Sequence, residues 1–423
     1  MTTDEGRILV VDDNPVNRRL LVGALQAQRY DVRSAEDGSQ ALALLRSAPS
    51  EFDIVLLDVL MPVMDGYQTL AEIKRDVELA QLPVIMISAL DEIESVIRCV
   101  EMGATDYLPK PYNPALLRAR LGTSLERKRL RDKEKLYLKG LERELEIGRE
   151  IQSSFLPPAL PQPPGWEIAV HFKAARQVAG DFYDAFRLDD EGGIGLVVAD
   201  VCDKGVGAAL FMALMRTLLR ALAMGSVPLG SHPPLPTTDG GLPAEGNAGV
   251  DRATVVRNAV LRTNHYITQT HAAANMFATL LLAALDPSNG RLTYINAGQE
   301  PALVIGPAGV KARLAATGMA VGILPEAEFR VESLTLEPGD VLLGYTDGVP
   351  DALSPKGERF GRERILSLLT PAPSSARALL DRIQSALLAH MGDAAPFDDV
   401  TMLALRRNDE RDSDHDLRRP AHP

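Results

Sequence analysis

Aspartates occupy the positions of this 423-residue sequence where chemistry is most easily built. Asp12 and Asp13 follow the apolar run Ile8-Leu9-Val10-Val11, Asp58 closes Ile54-Val55-Leu56-Leu57, Ser88 closes Val84-Ile85-Met86-Ile87, and Lys110 stands before Pro111. A carboxylate can accept a phosphoryl group when a hard divalent cation and a positioned ammonium neutralise the transferring charge and hold its oxygens in line. These residues are the parts for that reaction. Further along, Asp181 and Asp184 occur in AGDFYD, Asp200 ends the apolar run in LVVADVCDKG, Asp347 follows another in LLGYTDG, and Asp398-Asp399 stand in FDDVT. Phosphate monoesters hydrolyse extremely slowly unaided, and two divalent cations that acidify a shared water and hold the phosphoryl oxygens are one solution. Ligands of this kind, without Cys or His, favour Mg²⁺ or Mn²⁺ over zinc.

The elements that must position these groups are legible too. From Arg7 to about Leu121, short apolar runs without polar alternation interleave with helical patterns, as in a parallel sheet covered on both faces. Three polar groups at the ends of three such runs then meet at one sheet edge. Asn14-Pro15 and Asn113-Pro114 mark helix starts, because Asn caps free backbone N–H groups and Pro fits the first helical turn. The stretch from about Leu117 to Phe155 is dense in Arg, Lys, Glu and Leu, contains no Pro, and predicts a long helix that stops at Pro157-Pro158. Its apolar spacing, Leu130, Tyr137, Leu141, Leu145 and Ile151, is only roughly heptad, which leaves open a dimeric coiled coil or a solvated helix packed on its own domains.

From Trp166 a second region mixes strands (Gly195–Val198, Met276–Leu285, Leu292–Asn296, Val341–Tyr345) with helices near Ala208–Met224, Asp251–Thr268 and Ala376–His390. Gly225–Gly249 is rich in Gly and Pro and is expected to be a mobile insertion. The tail from Arg407 is charged, nearly devoid of apolar residues and expected to be disordered. The expected divisions are therefore 1–125, a linker 126–157, a second domain 158–406 with an insertion 225–250, and a tail 407–423.

Composition narrows the function classes. With 46% apolar and 24% charged residues the chain has the makeup of a globular protein. A net charge of -12 repels nucleic acid phosphates and anionic lipid, so neither is an expected partner. The two cysteines, Cys99 and Cys202, lie far apart without metal-ligand spacing, consistent with a reducing cytoplasm. Cys202 reads as a small core residue, not a nucleophile. Arg216 and Arg220 interrupt the apolar stretch Ala208–Met224, which reads as a core helix and not a membrane span.

In order and spacing, the DD pair, D-x-x-M-P-x-M-D-G, S-A and K-P resemble the response-regulator receiver domains over roughly residues 6–125. That resemblance implies a flavodoxin-like doubly wound fold, a sensor histidine kinase as phosphodonor, and Asp58 as phosphoacceptor. It implies Mg²⁺ held by Asp13, Asp58 and the Leu60 carbonyl, with Asp12 supporting through water. It further implies that Lys110 contacts the phosphoryl oxygens, that Ser88 donates its hydroxyl to one of them, and that the Tyr107 ring swings inward as it does so.

The four later motifs resemble the SpoIIE-type, RsbU-like branch of the protein phosphatase 2C-like (PPM) family over about residues 140–406. This resemblance implies an α+β domain, a β-sandwich flanked by helices, that hydrolyses phosphoserine or phosphothreonine on a protein. Asp181, Asp200, Asp347 and Asp398, with the Val201 carbonyl, would hold Mn²⁺ or Mg²⁺, two ions in all. Water would attack without a covalent enzyme intermediate. Asp181 is preferred over Asp184, and Asp398 over Asp399. Two departures stand out: Ala179 where Gly is usual, and Gln299-Glu300 where His-Asn is common. The segment ELEIGREIQSSFLPP resembles the helical element that leads into such domains and switches them. The substrate so implied is a phosphoserine STAS-domain anti-sigma factor antagonist of a partner-switching pathway. A non-catalytic regulator that sequesters a partner on Asp58 phosphorylation is the competing expectation.

Overall fold

The computed structural model describes residues 6–88, 93–111, 113–225 and 251–409. Almost all of the expected insertion and the tail from residue 410 lie outside the described residues. The chain divides into two compact units, 1–142 and 143–423.

In the first unit, β1 (Arg7–Val11), α1 (Pro15–Gln26), β2 (Asp31–Ala35), α2 (Gly38–Ser47), β3 (Ile54–Asp58), α3 (Gly66–Arg75), β4 (Val84–Ser88), α4 (Ile93–Glu101) and β5 (Asp106–Pro109) alternate before α5 (Pro114–Phe155). The strands form one parallel sheet in the order β2-β1-β3-β4-β5. Both faces are covered: Leu9, Val11, Val55, Leu57 and Met86 pack into one cluster, and Ile8, Val10, Ile54, Leu56 and Ile85 into the other. This is why β1, β3 and β4 read as unbroken apolar runs. Asn14 Oδ1 accepts from Val16 N–H (2.9 Å) and starts α1, and Asn113 Oδ1 accepts from Ala115 N–H (2.8 Å) and starts α5. The last helix of the first unit and the expected linker are thus one helix.

The second unit is a sandwich of two antiparallel sheets. One has the order β13-β10-β9-β8-β7 and the other β12-β11-β14-β15-β6. The strands are β6 (Trp166–Lys173), β7 (Phe182–Arg187), β8 (Ile194–Val201), β9 (Ala278–Leu285), β10 (Arg291–Ala297), β11 (Ala302–Gly306), β12 (Gly309–Leu314), β13 (Glu332–Thr335), β14 (Val341–Tyr345) and β15 (Val400–Arg407). Helices α6 (Val206–Ala223) and α7 (Arg252–Thr270) pack on the first sheet, α8 (Arg362–Leu368) and α9 (Ala376–Met391) on the second. Along β8, Val197, Ala199 and Val201 face the α6/α7 layer while Leu196 and Val198 face the other sheet. That parity aims Asp200 into the gap between the sheets at their end.

One expectation changes and one can be compared directly. Arg407 is the last residue of β15, not the first of a disordered tail. It pairs with Trp166, donates to the Leu336 carbonyl at 2.7 Å and stacks on the Trp166 ring, because a guanidinium on an apolar stem can cover an aromatic and still find acceptors. Among the described residues, α6 is long and apolar enough to cross a membrane; its Ala208, Phe211, Met212, Met215 and Leu219 are buried in the core beneath it.

Candidate active sites

At the carboxyl edge of the parallel sheet, the oxygens of Asp12, Asp13 and Asp58 lie within 4.8 Å of one another. Lys110 Nζ donates to Asp12 Oδ2 and Asp58 Oδ2, each at 2.8 Å, and its backbone N–H donates to the Ser88 carbonyl at 2.7 Å. Asp12 and Asp58 are buried and Asp13 is exposed, so the group opens to solvent on one side. Burial pushes the Asp58 carboxyl above its usual range, Lys110 pulls it back, and the Asp12 charge adds to the rise. Burial works against the Lys110 ammonium, but the two carboxylates outweigh it and hold its pKa above the ordinary value. Ser88 is buried at the end of β4, Tyr107 is half-buried on β5 beside Met86, and Leu60 follows β3 at the surface. Oxygen donors carrying uncompensated negative charge fit a hard cation such as Mg²⁺.

The second site lies at one end of the sandwich. Asp181 precedes β7 and Asp200 is the penultimate residue of β8 in one sheet, while Asp347 follows β14 and Asp398 precedes β15 in the other. Thr346 and Thr401 reach across from the second sheet, and both hydroxyls donate to Asp181 Oδ2, at 2.7 and 2.6 Å. Asp181 and Asp200 act on each other electrostatically. Burial, then the Asp200 charge, raise the Asp181 carboxyl well above its usual range. Burial and the Asp347 charge push Asp200 up to about 7. Asp347, open to solvent along one side, is raised by partial desolvation and then by Asp398, Asp351 and Glu300. Acids that disfavour one another's ionisation, with oxygen as the donor, have the chemistry for Mg²⁺ or Mn²⁺, but among the described residues only Asp12, Asp13 and Asp58 bring three carboxylate oxygens within 4.8 Å of one another, and the four aspartates here do not. Val201, whose carbonyl was expected to join them, ends β8, and the Gly180 α-carbon passes close enough that a Cβ there would lie 2.9 Å from that oxygen.

The two ambiguous pairs sort by their partners. Asp184 is fully buried and salt-bridged to Arg216 (3.0 Å) and Arg220 (3.3 Å), away from the acid group. Asp399 spends its carboxylate on backbone, accepting from Ala175 N–H and Gly180 N–H at 2.7 Å each and from Asp181 N–H at 3.4 Å. Asp398 instead faces Lys204, 2.9 Å away.

Sequence reasoning passed over Thr346, Thr401, Asp399 as a loop anchor, Lys204 and Gln152. The first three sit inside the quoted motifs, where a Thr or second Asp beside a strand-end Asp was the available signal. Gln152 lies in the quoted segment ELEIGREIQSSFLPP, but nothing there marked it out from the other polar residues of α5. The departures find partners as well. Ala179 has ordinary backbone angles, so it needs no glycine. Gln299 is hydrogen-bonded to Thr279 on β9 and to the Tyr345 carbonyl (3.1 Å) on β14, joining the two sheets, and Glu300 takes a two-point contact from Arg362 at 2.5 and 2.7 Å.

A parallel sheet with an acidic pocket at its carboxyl edge, followed by a two-sheet domain flanked by helices, is the architecture of a receiver joined to a domain of the phosphatase 2C-like fold. The response regulator receiver domain family matches residues 8–122 and the stage II sporulation protein E (SpoIIE) family matches residues 190–408. The latter is more than half of the chain, which therefore belongs to the SpoIIE family. Protein IcfG of Synechocystis sp. is 46% identical over 268 residues, 63% of this chain and 42% of that protein. Response regulator PleD of Caulobacter vibrioides is 46% identical over 116 residues, 27% of this chain and 25% of that protein. The chain thus spans less than half the length of either relative. The SiaA-PP2C domain of Pseudomonas aeruginosa superposes with a TM-score of 0.49 at 21% identity, covering 64% of this chain and 98% of that one.

Proposed function

We propose that this chain is a two-component response regulator in which a sensor histidine kinase phosphorylates Asp58 and thereby controls a metal-dependent serine/threonine phosphatase. The observation that supports the reading is that Thr346 and Thr401 of one sheet both donate to Asp181 of the other, at the sandwich end where Asp200, Asp347 and Asp398 also stand, with burial and neighbouring charge raising the carboxyl pKa values of Asp181, Asp200 and Asp347. Divalent cations bound there, Mn²⁺ or Mg²⁺, would supply an acidified water and charge neutralisation for the phosphoryl group. These four carboxylates and the Val201 carbonyl would hold them. Thr346 and Thr401 orient Asp181, and Asp399 fixes the loop that delivers it.

In the first unit Asp13, Asp58 and the Leu60 carbonyl would hold Mg²⁺ with Asp12 in support, Lys110 and Ser88 would meet the phosphoryl oxygens, and Tyr107 would follow Ser88. Coupling runs in this reading through α5, whose Gln152 is bonded to the backbone beside Asp181. The preferred substrate is the phosphoserine of a STAS-domain anti-sigma factor antagonist. Exposed Leu130, Tyr137, Leu141 and Ile151 on α5 support a homodimer through that helix, which sedimentation of the full chain tests.

The deciding assay is Mn²⁺-dependent hydrolysis of a phosphoserine protein. It should vanish in Asp347→Ala, survive in Cys202→Ala, and change with beryllofluoride in the wild type but not in Asp58→Ala. Partner capture that persists in Asp347→Ala, with no hydrolysis by the wild type, would instead identify a sequestering regulator. Equal activity with and without beryllofluoride would sink the coupling.

A further inference from the structure

Lys204 lies in the turn between β8 and α6, and the backbone bends sharply around it. Asp203 has φ of 72° and Gly205 of 89°, left-handed on both flanks, and Asp203 Oδ1 accepts the Lys204 N–H at 2.8 Å. A non-glycine residue held at positive φ is uncommon and signals that the placement is enforced by its surroundings. The side chain crosses to the segment before β15. Its Nζ donates to the Phe397 carbonyl at 2.9 Å, lies 2.9 Å from Asp398 Oδ2 and sits 4.6 Å from the centre of the Phe397 ring. Its charge also reaches Asp347, whose carboxyl pKa it lowers against the other influences there.

A centre built from carboxylates has a difficulty with its own substrate. The acids that attract divalent cations repel a phosphate ester, and charge-assisted donors at the rim are the usual remedy. Lys204 is a cation at the open side of this centre, next to Asp398 and within electrostatic reach of Asp347. An ammonium has three N–H donors. The Phe397 carbonyl and Asp398 take two, which leaves one for a third oxygen. Two of its anchors, the Phe397 carbonyl and ring, are independent of the acids. They hold the ammonium in place whether or not Asp398 is engaged elsewhere.

We propose that Lys204 is a substrate-contacting residue that donates to a phosphoryl oxygen of the phosphoprotein and of the released phosphate. The proposal rests on the metal-dependent phosphatase reading above. Its rival is that Lys204 only stands in for a cation at Asp398, in which case removing it would tighten Mn²⁺ binding and leave phosphate affinity alone.

The test uses the full chain with Lys204→Met, which keeps the stem against Phe397, and Lys204→Arg, which keeps the charge. Three quantities are read: Mn²⁺ affinity from the electron paramagnetic resonance of free Mn²⁺, inhibition by inorganic phosphate, and kcat and KM for p-nitrophenyl phosphate. For the loss of one charge-assisted hydrogen bond, Lys204→Met should raise both KM and the phosphate Ki by about tenfold while Mn²⁺ binding is kept, and Lys204→Arg should recover most of the loss. Wild-type hydrolysis with an unchanged phosphate Ki in Lys204→Met would overturn the role of Lys204 alone. A wild-type chain with no Mn²⁺-dependent hydrolysis would overturn the underlying reading together with it.

Discussion

Gln152 and Ala179 exchange two hydrogen bonds: Gln152 Nε2 donates to the Ala179 carbonyl at 2.6 Å, and the Ala179 N–H donates to Gln152 Oε1 at 2.9 Å. Both residues are buried, and the next two in the chain are Gly180 and Asp181. The end of α5 is therefore bonded directly to the segment that carries an expected metal ligand. Gln152→Leu leaves a buried N–H and a buried carbonyl without partners, so it should cost about 2 kcal/mol or more of stability. Because the loosened backbone adjoins Asp181, Mn²⁺ affinity should fall as well. Urea unfolding and Mn²⁺ titration check the two effects; lost stability with unchanged Mn²⁺ affinity would show that the contact is structural only.

Asp184 and Asp347 should respond in opposite ways to truncation. Asp184 has no exposed surface and neutralises Arg216 and Arg220, whereas Asp347 is exposed and surrounded by other acids. Asp184→Ala strands the buried Arg216 cation and releases the partly exposed Arg220, and should destabilise the chain by about 3–5 kcal/mol. Asp347→Ala relieves repulsion, so it should leave thermal stability without Mn²⁺ equal or higher while abolishing hydrolysis. Thermal melts of both variants, set beside the phosphatase assay, separate the roles; equal destabilisation would contradict them.

Asp53 gives the first unit a predictable response to acid. Its Oδ2 accepts the Arg7 N–H at 2.9 Å and its Oδ1 meets Lys128 Nζ at 3.0 Å, tying α5 to the sheet. Burial alone would raise the carboxyl, but the Arg7 N–H and the Lys128 ammonium more than offset it, so the folded pKa lies below the ordinary value. A depressed carboxylate contributes fully above its unfolded pKa of about 3.9 and loses that contribution as pH falls through the folded value. Asp53→Asn should therefore cost about 1 kcal/mol at pH 7 and progressively less below about pH 4. Chemical denaturation of both chains across that range measures the difference, which should not persist unchanged into acid.

Much of this was legible because both folds end buried strands in aspartates. β1, β3, β4, β8 and β14 are buried on both faces, so each read as an apolar run with a polar terminator, and those after β1 and β3 are residues that meet. The edge strands β12 and β13 carry mostly exposed residues, and their sequences, GVKARL and ESLT, have no apolar run to announce them. They are strands because neighbours pair with them. β15 ran unrecognised into the charged tail, since its last residue is an arginine whose partner, Trp166, is far away in sequence. Within the sites, residue types exposed the charged groups but not who holds them. The same motif FDDVT offers two equivalent aspartates, and only the backbone amides of Ala175 and Gly180 distinguish Asp399 as the anchor.

Glycine follows aspartate in both active-site motifs, and the structure gives each a steric reason. A Cβ on Gly66 would collide with the Asp58 carbonyl oxygen, and one on Gly348 would collide with the carbonyl oxygen of Asp399. Neither obstacle is a flexible side-chain end, so the chain would have to move. In one case that displaces the end of β3 that presents Asp58. In the other it separates Asp347 from the Asp398-Asp399 segment. Gly66→Ala should accordingly lower beryllofluoride affinity of the receiver without affecting Mn²⁺ binding, and Gly348→Ala should do the reverse. Overpacking of this kind costs about 1–3 kcal/mol, so both variants should remain folded enough for titration. Fluorescence titration with beryllofluoride and Mn²⁺ titration on the same two proteins make four measurements. The crossed pattern is expected because each glycine bears on its own site, and a uniform loss in all four would mean that the substitutions act through global stability alone.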